Sequence, residues 1–115
     1  CDSGAGMFVN TLDQAGFGLL FERDGQWDGQ QIISSKWIEH ATQSSPANER
    51  YGYMWWLNKG PRKWQQVQDE SIYYAAGFGG NFVVIDNKHD LVIVTRWLEP
   101  SKIGEFVGLV LQSIE

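Results

Sequence analysis

Residues 71–96 decide the fold, and they read SIYYAAGFGGNFVVIDNKHDLVIVTR. Two apolar runs, 82–85 and 91–94, flank the polar stretch 86–90, and this pattern predicts an antiparallel hairpin. Neither run alternates between apolar and polar residues, which is typical of strands that are covered on both faces. Residues 71–76 predict a further strand, which ends at the glycine-rich stretch 77–80.

Helical spacing of apolar residues predicts a helix that packs on this sheet. Near the C-terminal end the pattern i, i+3, i+4, i+7, i+8, i+11 predicts a helix lying on the sheet, formed by Ile103, Phe106, Val107, Val110, Leu111 and Ile114. Its glycines, Gly104 and Gly108, are one turn apart and predict a close approach.

Two further helices are predicted in the first half of the chain. Thr11 and Gln14 form a capping box before a run that is apolar almost all round, and such a helix is expected to be buried. Ser34 predicts the N-cap of a short helix to about Thr42, with Trp37 facing inward. The predicted fold class is therefore α+β, an antiparallel sheet with flanking helices, in a single segment 1–115.

Charge and composition exclude several classes of function. The 115 residues carry a formal net charge of −5, which disfavours binding to a phosphate backbone, so no nucleic-acid partner is expected. No apolar run approaches the ~18 residues of a membrane-spanning helix, so no transmembrane segment is expected. Cys1 is the single cysteine, so the chain forms no internal disulfide. Two explanations of Cys1 remain open: it is a lipidation site, or it marks the position at which a longer chain was cut.

The aromatic residues suggest a second, non-enzymatic interpretation. Tyr51, Tyr53 and Trp55 share one face of a predicted strand, with Trp56 on the other and Trp64 further along the chain. The cluster is compatible with an apolar core and equally with a ligand groove. The alternative to an enzyme is thus a non-catalytic binding module with a Tyr/Trp-lined groove.

The two histidines do not predict a metal site. His89 lies between Asp86 and Asp90, but no His-x-His or His-x-x-x-His spacing accompanies it, and a solvated turn is expected there. No metal and no cofactor are predicted.

A set of motifs in order along the chain resembles the C-terminal part of the serine β-lactamase-like hydrolases. The motifs are Ser3-Gly4-Ala5-Gly6-Met7-Phe8, Thr11-Leu12-Asp13-Gln14-Ala15, Trp27-x-Gly29-x-x-Ile32-Ile33-Ser34-x-x-Trp37, Tyr51-Gly52-Tyr53-x-Trp55-Trp56, and Ala76-Gly77-Phe78-Gly79-Gly80-Asn81 leading into Asp90-Leu91-Val92-Ile93-Val94. That superfamily includes class C β-lactamases, penicillin-binding proteins, carboxylesterases and 6-aminohexanoate-dimer hydrolases. The resemblance implies the C-terminal part of the β-lactamase/transpeptidase-like fold, and a periplasmic or secreted location.

Two of the catalytic elements of that superfamily are absent from the sequence. No Ser is followed by Lys three residues later, and no Tyr is followed by Asn two residues later. The resemblance therefore implies the final portion of a longer serine hydrolase that acts on ester or amide bonds through an acyl-enzyme. The chain alone is expected to be inactive, and to associate with itself or with the remainder of a longer chain.

The third element is present in altered form. Ala75-Ala76-Gly77 takes the place of the Lys-Thr-Gly strand, and the resemblance assigns the backbone amide of Phe78 to the oxyanion hole. Gly77, Gly79 and Gly80 are expected to let a substrate approach the backbone, with Ala75, Ala76, Trp55 and Trp56 completing the pocket. The structural alternative is a glycine β-bulge.

The alanines also predict the charge of the substrate. Because Ala75 replaces the lysine, a neutral, fairly apolar ester or amide is expected, unless Arg62, Lys63 or Arg96 supplies a cation.

Overall fold

The computed structural model describes residues 9–114, which form a four-stranded antiparallel sheet between helices. The elements before the sheet are α1 (Thr11–Glu22), β1 (Gln26–Trp27), β2 (Gln30–Gln31) and α2 (Ser35–Ala41). The sheet has the spatial order β3 (Trp56–Leu57), β4 (Tyr73–Gly77), β5 (Asn81–Asp86) and β6 (Leu91–Thr95), and is followed by α3 (Ile103–Ile114). The predicted α+β class is confirmed. Cys1 and the motif 3–8 lie outside the described residues.

The central strand β5 is covered on both faces, as its unbroken apolar run predicts. Val83 and Ile85 belong to the core under α1 and α2, whereas Phe82 and Val84 belong to the core under α3. Helix α1 approaches the sheet at Gly18, where a Cβ atom would lie 2.7 Å from Val92 Cγ1. The sheet therefore separates two apolar cores, and its hairpin loops lie at the two ends.

Helix α1 differs from its prediction in its cap and in its exposure. Asn10 caps it in place of Thr11, since Asn10 Oδ1 accepts a hydrogen bond from the Asp13 amide at 2.7 Å. Leu12 is 83% exposed and Phe17 50% exposed, so the expectation of a fully buried helix is wrong for the described chain. Trp37 of α2 is likewise half exposed and does not face inward.

The segment between α2 and β4 is mostly irregular. Met54 has a φ of 71°, which interrupts the predicted strand and leaves only β3. Residues 64–68 form a loop held by the buried Asn58, whose Nδ2 donates to Val67 O at 2.9 Å and whose Oδ1 accepts from Trp64 N at 2.8 Å. A Cβ atom on Gly104 or Gly108 of α3 would lie 3.0 Å from this loop, so the glycines bring α3 close to the loop.

Candidate functional site

The hairpin tip, residues 77–80, carries the amide that the sequence assigns to an oxyanion hole. Gly77 pairs with Asn81 across the β4–β5 hairpin, and Asn81 Nδ2 closes the loop by donating to Phe78 O at 2.8 Å. The register is continuous from Tyr73–Ile85 to Gly77–Asn81, so no bulge interrupts the paired residues of β4 and β5. Phe78 is 98% exposed, and no hydrogen bond within residues 9–114 uses its backbone N–H.

Gly79 and Gly80 hold the tip against the chain that follows β6. Their φ angles are +85° and +75°, in the left-handed region that favours glycine. A Cβ atom on Gly79 would lie 2.6 Å from the Trp97 ring, and one on Gly80 would lie 1.5 Å from Leu98 O. Gly80 O also accepts from Leu98 N at 3.2 Å and from Thr95 Oγ1 at 3.3 Å. The packing of the chain itself therefore explains these two glycines.

Gly77 differs from its two neighbours in the tip. Its φ is not in the left-handed region, and a Cβ atom there would meet its nearest neighbour, Asn81 O, at an ordinary 3.7 Å. Nothing in the described part of the chain requires a glycine at this position. The sequence interpretation explained all three glycines by substrate approach, and the structure leaves that explanation for Gly77 alone.

The two alanines before the tip lie on a partly open strand. Strand β3 pairs only with Tyr73 and Tyr74, so within residues 9–114 no strand pairs with the far edge of β4 beyond them. Ala75 packs against the core on the α1 side, while Ala76 is exposed. The tip and the free edge of β4 together form an open backbone surface at one end of the sheet.

The two tryptophans expected to line the pocket are not brought together with the tip. Trp55 is only 4% exposed, and its ring lies 6.1 Å from that of Phe17, 4.7 Å from that of Phe21 and 5.1 Å from that of Tyr73. Its environment is the core under α1. Trp56 packs on the other face of the sheet, 4.6 Å from the Tyr51 ring.

Trp64 also lies away from Trp55, since it stacks on Tyr74 at 4.5 Å within the core under α3. The aromatic residues are thus divided between two faces and do not form one groove.

Trp97 is the residue near the tip that the sequence interpretation missed. It is 75% exposed, although its ring lies against Gly79, and its φ is +59°. A left-handed backbone at a bulky side chain costs about 1–2 kcal/mol. The available signal was its position two residues after the end of β6, level with the glycine-rich loop.

The opposite end of the hairpin holds the Asp86–His89 pair. Asp86 Oδ1 accepts from Lys88 N at 3.1 Å and from His89 N at 3.3 Å, and its Oδ2 lies 2.7 Å from His89 Nδ1. Asp86 is 1% exposed, so the expected solvated turn is wrong for this carboxylate. Five residues of extended strand, roughly 17 Å, separate the pair from the tip, so His89 cannot act as a base there.

A groove of about 360 Å³ also lies at this opposite end, between α3 and residues 66–69, and its lining includes no residue of the tip. Within residues 9–114, no group of three or more His, Cys, Asp or Glu side chains is arranged to hold a metal ion. The same residues include no helix that is both long enough and apolar enough to cross a membrane.

Titratable groups near β4 offer little for proton transfer. Burial raises the pKa of Tyr73 to about 12, so its phenol stays protonated and neutral at physiological pH. Lys63 Nζ lies 3.7 Å from Glu70 Oε1, and the Arg62 side chain lies outside the described part of the structure. Arg96 follows directly on β6 at the tip end, and its Nη1 donates to Val9 O at 3.0 Å.

The comparisons with known proteins give a likeness in fold. No protein-family profile matches the chain, and no curated protein sequence is similar to it. Among solved structures it is similar to a putative 6-aminohexanoate-dimer hydrolase from Bacillus anthracis, with a TM-score of 0.62 and 22% identity over 90% of this chain. The chain spans 28% of the length of that protein. The likeness supports the predicted fold, since the chain is consistent with the C-terminal part of a β-lactamase-like fold.

Proposed function

We propose that this chain is the C-terminal part of a β-lactamase-like serine hydrolase acting on ester or amide bonds, in which the Phe78 amide forms half of an oxyanion hole. The observation that carries the proposal is the exposed tip, where the Phe78 N–H makes no hydrogen bond within residues 9–114. The likeness to part of a 6-aminohexanoate-dimer hydrolase supports the hydrolase origin.

The proposed chemistry is acyl transfer followed by hydrolysis. A serine from outside the 115 residues attacks the substrate carbonyl, and the negative charge that develops on the carbonyl oxygen is held by the Phe78 N–H. The missing side chain at Gly77 leaves the backbone beside this donor open to substrate. The bond to the alcohol or amine then breaks, and this leaving group departs with the proton that the serine hydroxyl has lost. A water molecule hydrolyses the resulting acyl-enzyme, which releases the carboxylic acid and restores the serine hydroxyl. In this reaction the 115-residue chain binds the oxyanion and forms one wall of the pocket.

The hydrogen-bond donor at position 78, the backbone N–H, provides the test. In the longer protein, Phe78→Ala should keep most of its activity, because the side chain is 98% exposed and the amide is retained. Phe78→Pro removes the N–H and should lower kcat by about 100-fold or more. Both variants are compared by thermal unfolding, so that a folding defect is separated from a loss of the donor. Equal and small losses in kcat would refute the assignment.

The 115-residue chain alone should not hydrolyse esters. It contains no Ser-x-x-Lys pair, and an oxyanion donor without a nucleophile cannot carry out covalent catalysis. A 4-nitrophenyl ester assay on the purified chain, with fluorophosphonate labelling beside it, measures this. Turnover accompanied by a labelled serine would contradict the proposal.

The exposed apolar side chains of α1 and α2 form a surface for which a partner is proposed. This partner is the remainder of the longer chain, or a second copy when the segment is alone. Leu12, Phe17 and Trp37 are half exposed or more, which leaves apolar area on the α1 side uncovered. Light scattering on the purified chain should show self-association. A monodisperse monomer with cooperative unfolding would count against it.

A non-catalytic binding module has weaker support. It requires the Tyr and Trp side chains to share a groove, whereas Trp55 is buried on one face of the sheet and Trp56 packs on the other.

A further inference from the structure

Trp97 combines two properties that are not expected together in a residue of purely structural role. Its ring contacts Gly79, the residue directly after the proposed oxyanion donor, yet three quarters of the residue is exposed. Its backbone has a φ of +59°, a conformation that bulky side chains rarely adopt. Strained positions of this kind are found preferentially where a side chain must be aimed at a ligand.

The backbone around Trp97 is fixed from both sides. Leu98 N donates to Gly80 O at 3.2 Å, and the preceding Thr95 donates through Oγ1 to the same oxygen at 3.3 Å. The backbone of Trp97 therefore has a defined place beside the tip, and its ring lies against Gly79. Phe78, which is 98% exposed, places a second aromatic side chain at the tip.

We propose that Trp97 is a specificity-determining residue, whose indole binds the apolar alkyl or aryl group of the substrate while the substrate carbonyl lies at the Phe78 amide. This inference rests on the proposed hydrolase function and adds to it the substrate class, which is a neutral ester or amide with an extended apolar group. An indole that is held in place but exposed offers a flat apolar surface at low conformational cost.

The test is a selectivity measurement in the longer protein. Trp97→Ala should lower the kcat/KM ratio about tenfold within one of two matched pairs of esters. The pair is 4-nitrophenyl hexanoate against 4-nitrophenyl acetate when the indole contacts the acyl chain, and phenyl acetate against ethyl acetate when it contacts the alcohol group. Trp97→Phe should retain most of the preference for the longer group on whichever side of the ester contacts residue 97. Trp27→Ala, which removes another half-exposed tryptophan, is the matched control and should leave selectivity unchanged.

Trp97→Gly separates substrate contact from folding. Glycine relieves the left-handed backbone at this position, so this variant should unfold at a higher temperature than Trp97→Ala while showing the same altered selectivity. If Trp97→Ala lowers kcat/KM by the same factor for all four substrates, the inference is overturned and the proposed function stands. If the wild-type longer protein hydrolyses neither these esters nor the corresponding anilides, the proposed function fails, and this inference fails with it.

Discussion

The two ends of strand β5 carry turns of opposite design. At the Asp86 end, one buried carboxylate accepts from two backbone amides and pairs with His89, so the turn satisfies its own polar groups. At the tip end, no side chain satisfies the Phe78 amide within residues 9–114, and residues 97 and 98 hold the loop from outside. One turn only connects two strands, whereas the other presents a backbone donor, and it is the second that needs glycines.

The largest effect is expected from adding a methyl group to the tip glycines. In Gly80→Ala the new Cβ atom would lie 1.5 Å from Leu98 O at a φ of +75°, so the loop must move, and the free energy of unfolding should fall by about 3 kcal/mol or more. Gly77→Ala has room and should stay within about 0.5 kcal/mol of wild type. Urea denaturation of both variants measures the difference.

The Gly77→Ala variant also tests whether Gly77 is needed for the substrate to approach the proposed donor. Gly77→Ala should lower kcat/KM in the longer protein despite its normal stability, because its methyl group lies beside the proposed donor. A Gly77→Ala variant that is fully active would remove substrate approach as the reason for this glycine.

A smaller effect is expected at the opposite end. Asp86→Ala leaves the amides of Lys88 and His89 without their acceptor in a partly buried turn, which should cost about 2 kcal/mol of stability. Ester hydrolysis by the longer protein should be unchanged at a temperature where the variant is folded, since the two ends are roughly 17 Å apart. A specific fall in kcat would show that the two ends are coupled.

The sequence predicted the hairpin and the helix on it because β5 and α3 are governed by local pattern and burial. It did not predict the packing of Trp97 on Gly79, since these residues meet only through the β5–β6 register. The burial of α1 was not predicted correctly. Its apolar residues predict a helix that is buried all round, but within residues 9–114 nothing packs over its outer face. For Trp55, strand periodicity separates the two faces but cannot tell a core from a groove.

The charge of the substrate is expected to have a moderate effect. With Ala75 in place of a cation, kcat/KM should be about tenfold lower for an ester bearing a carboxylate than for its neutral counterpart, since the carboxylate is desolvated without a partner. Arg96 is the cation to test, because it lies at the tip end and donates to Val9 O. Arg96→Gln should leave the ratio unchanged. A preference for the anionic ester that disappears in Arg96→Gln would identify Arg96 as the missing cation.

The smallest effect is expected where the end of α1 meets the β5–β6 turn. Burial, and then the nearby Asp90 carboxylate, raise the pKa of Glu22 above its ordinary 4.5. A raised pKa means that the folded state binds this proton more tightly than the unfolded state does. The stability associated with protonated Glu22 is therefore complete below pH 4.5 and is lost as the pH rises through the folded-state pKa.

Glu22→Gln should accordingly unfold at a slightly higher temperature than wild type at pH 7, and the difference should vanish well below pH 4.5, where Glu22 is neutral in both states. Asp90→Asn is the matched variant, because Asn tolerates the left-handed φ of 51° at this position and removes the other charge of the pair. The double variant should gain less than the sum of the single gains, since each change relieves the same repulsion. Additive gains would show that burial alone raises the pKa of Glu22, without a contribution from Asp90.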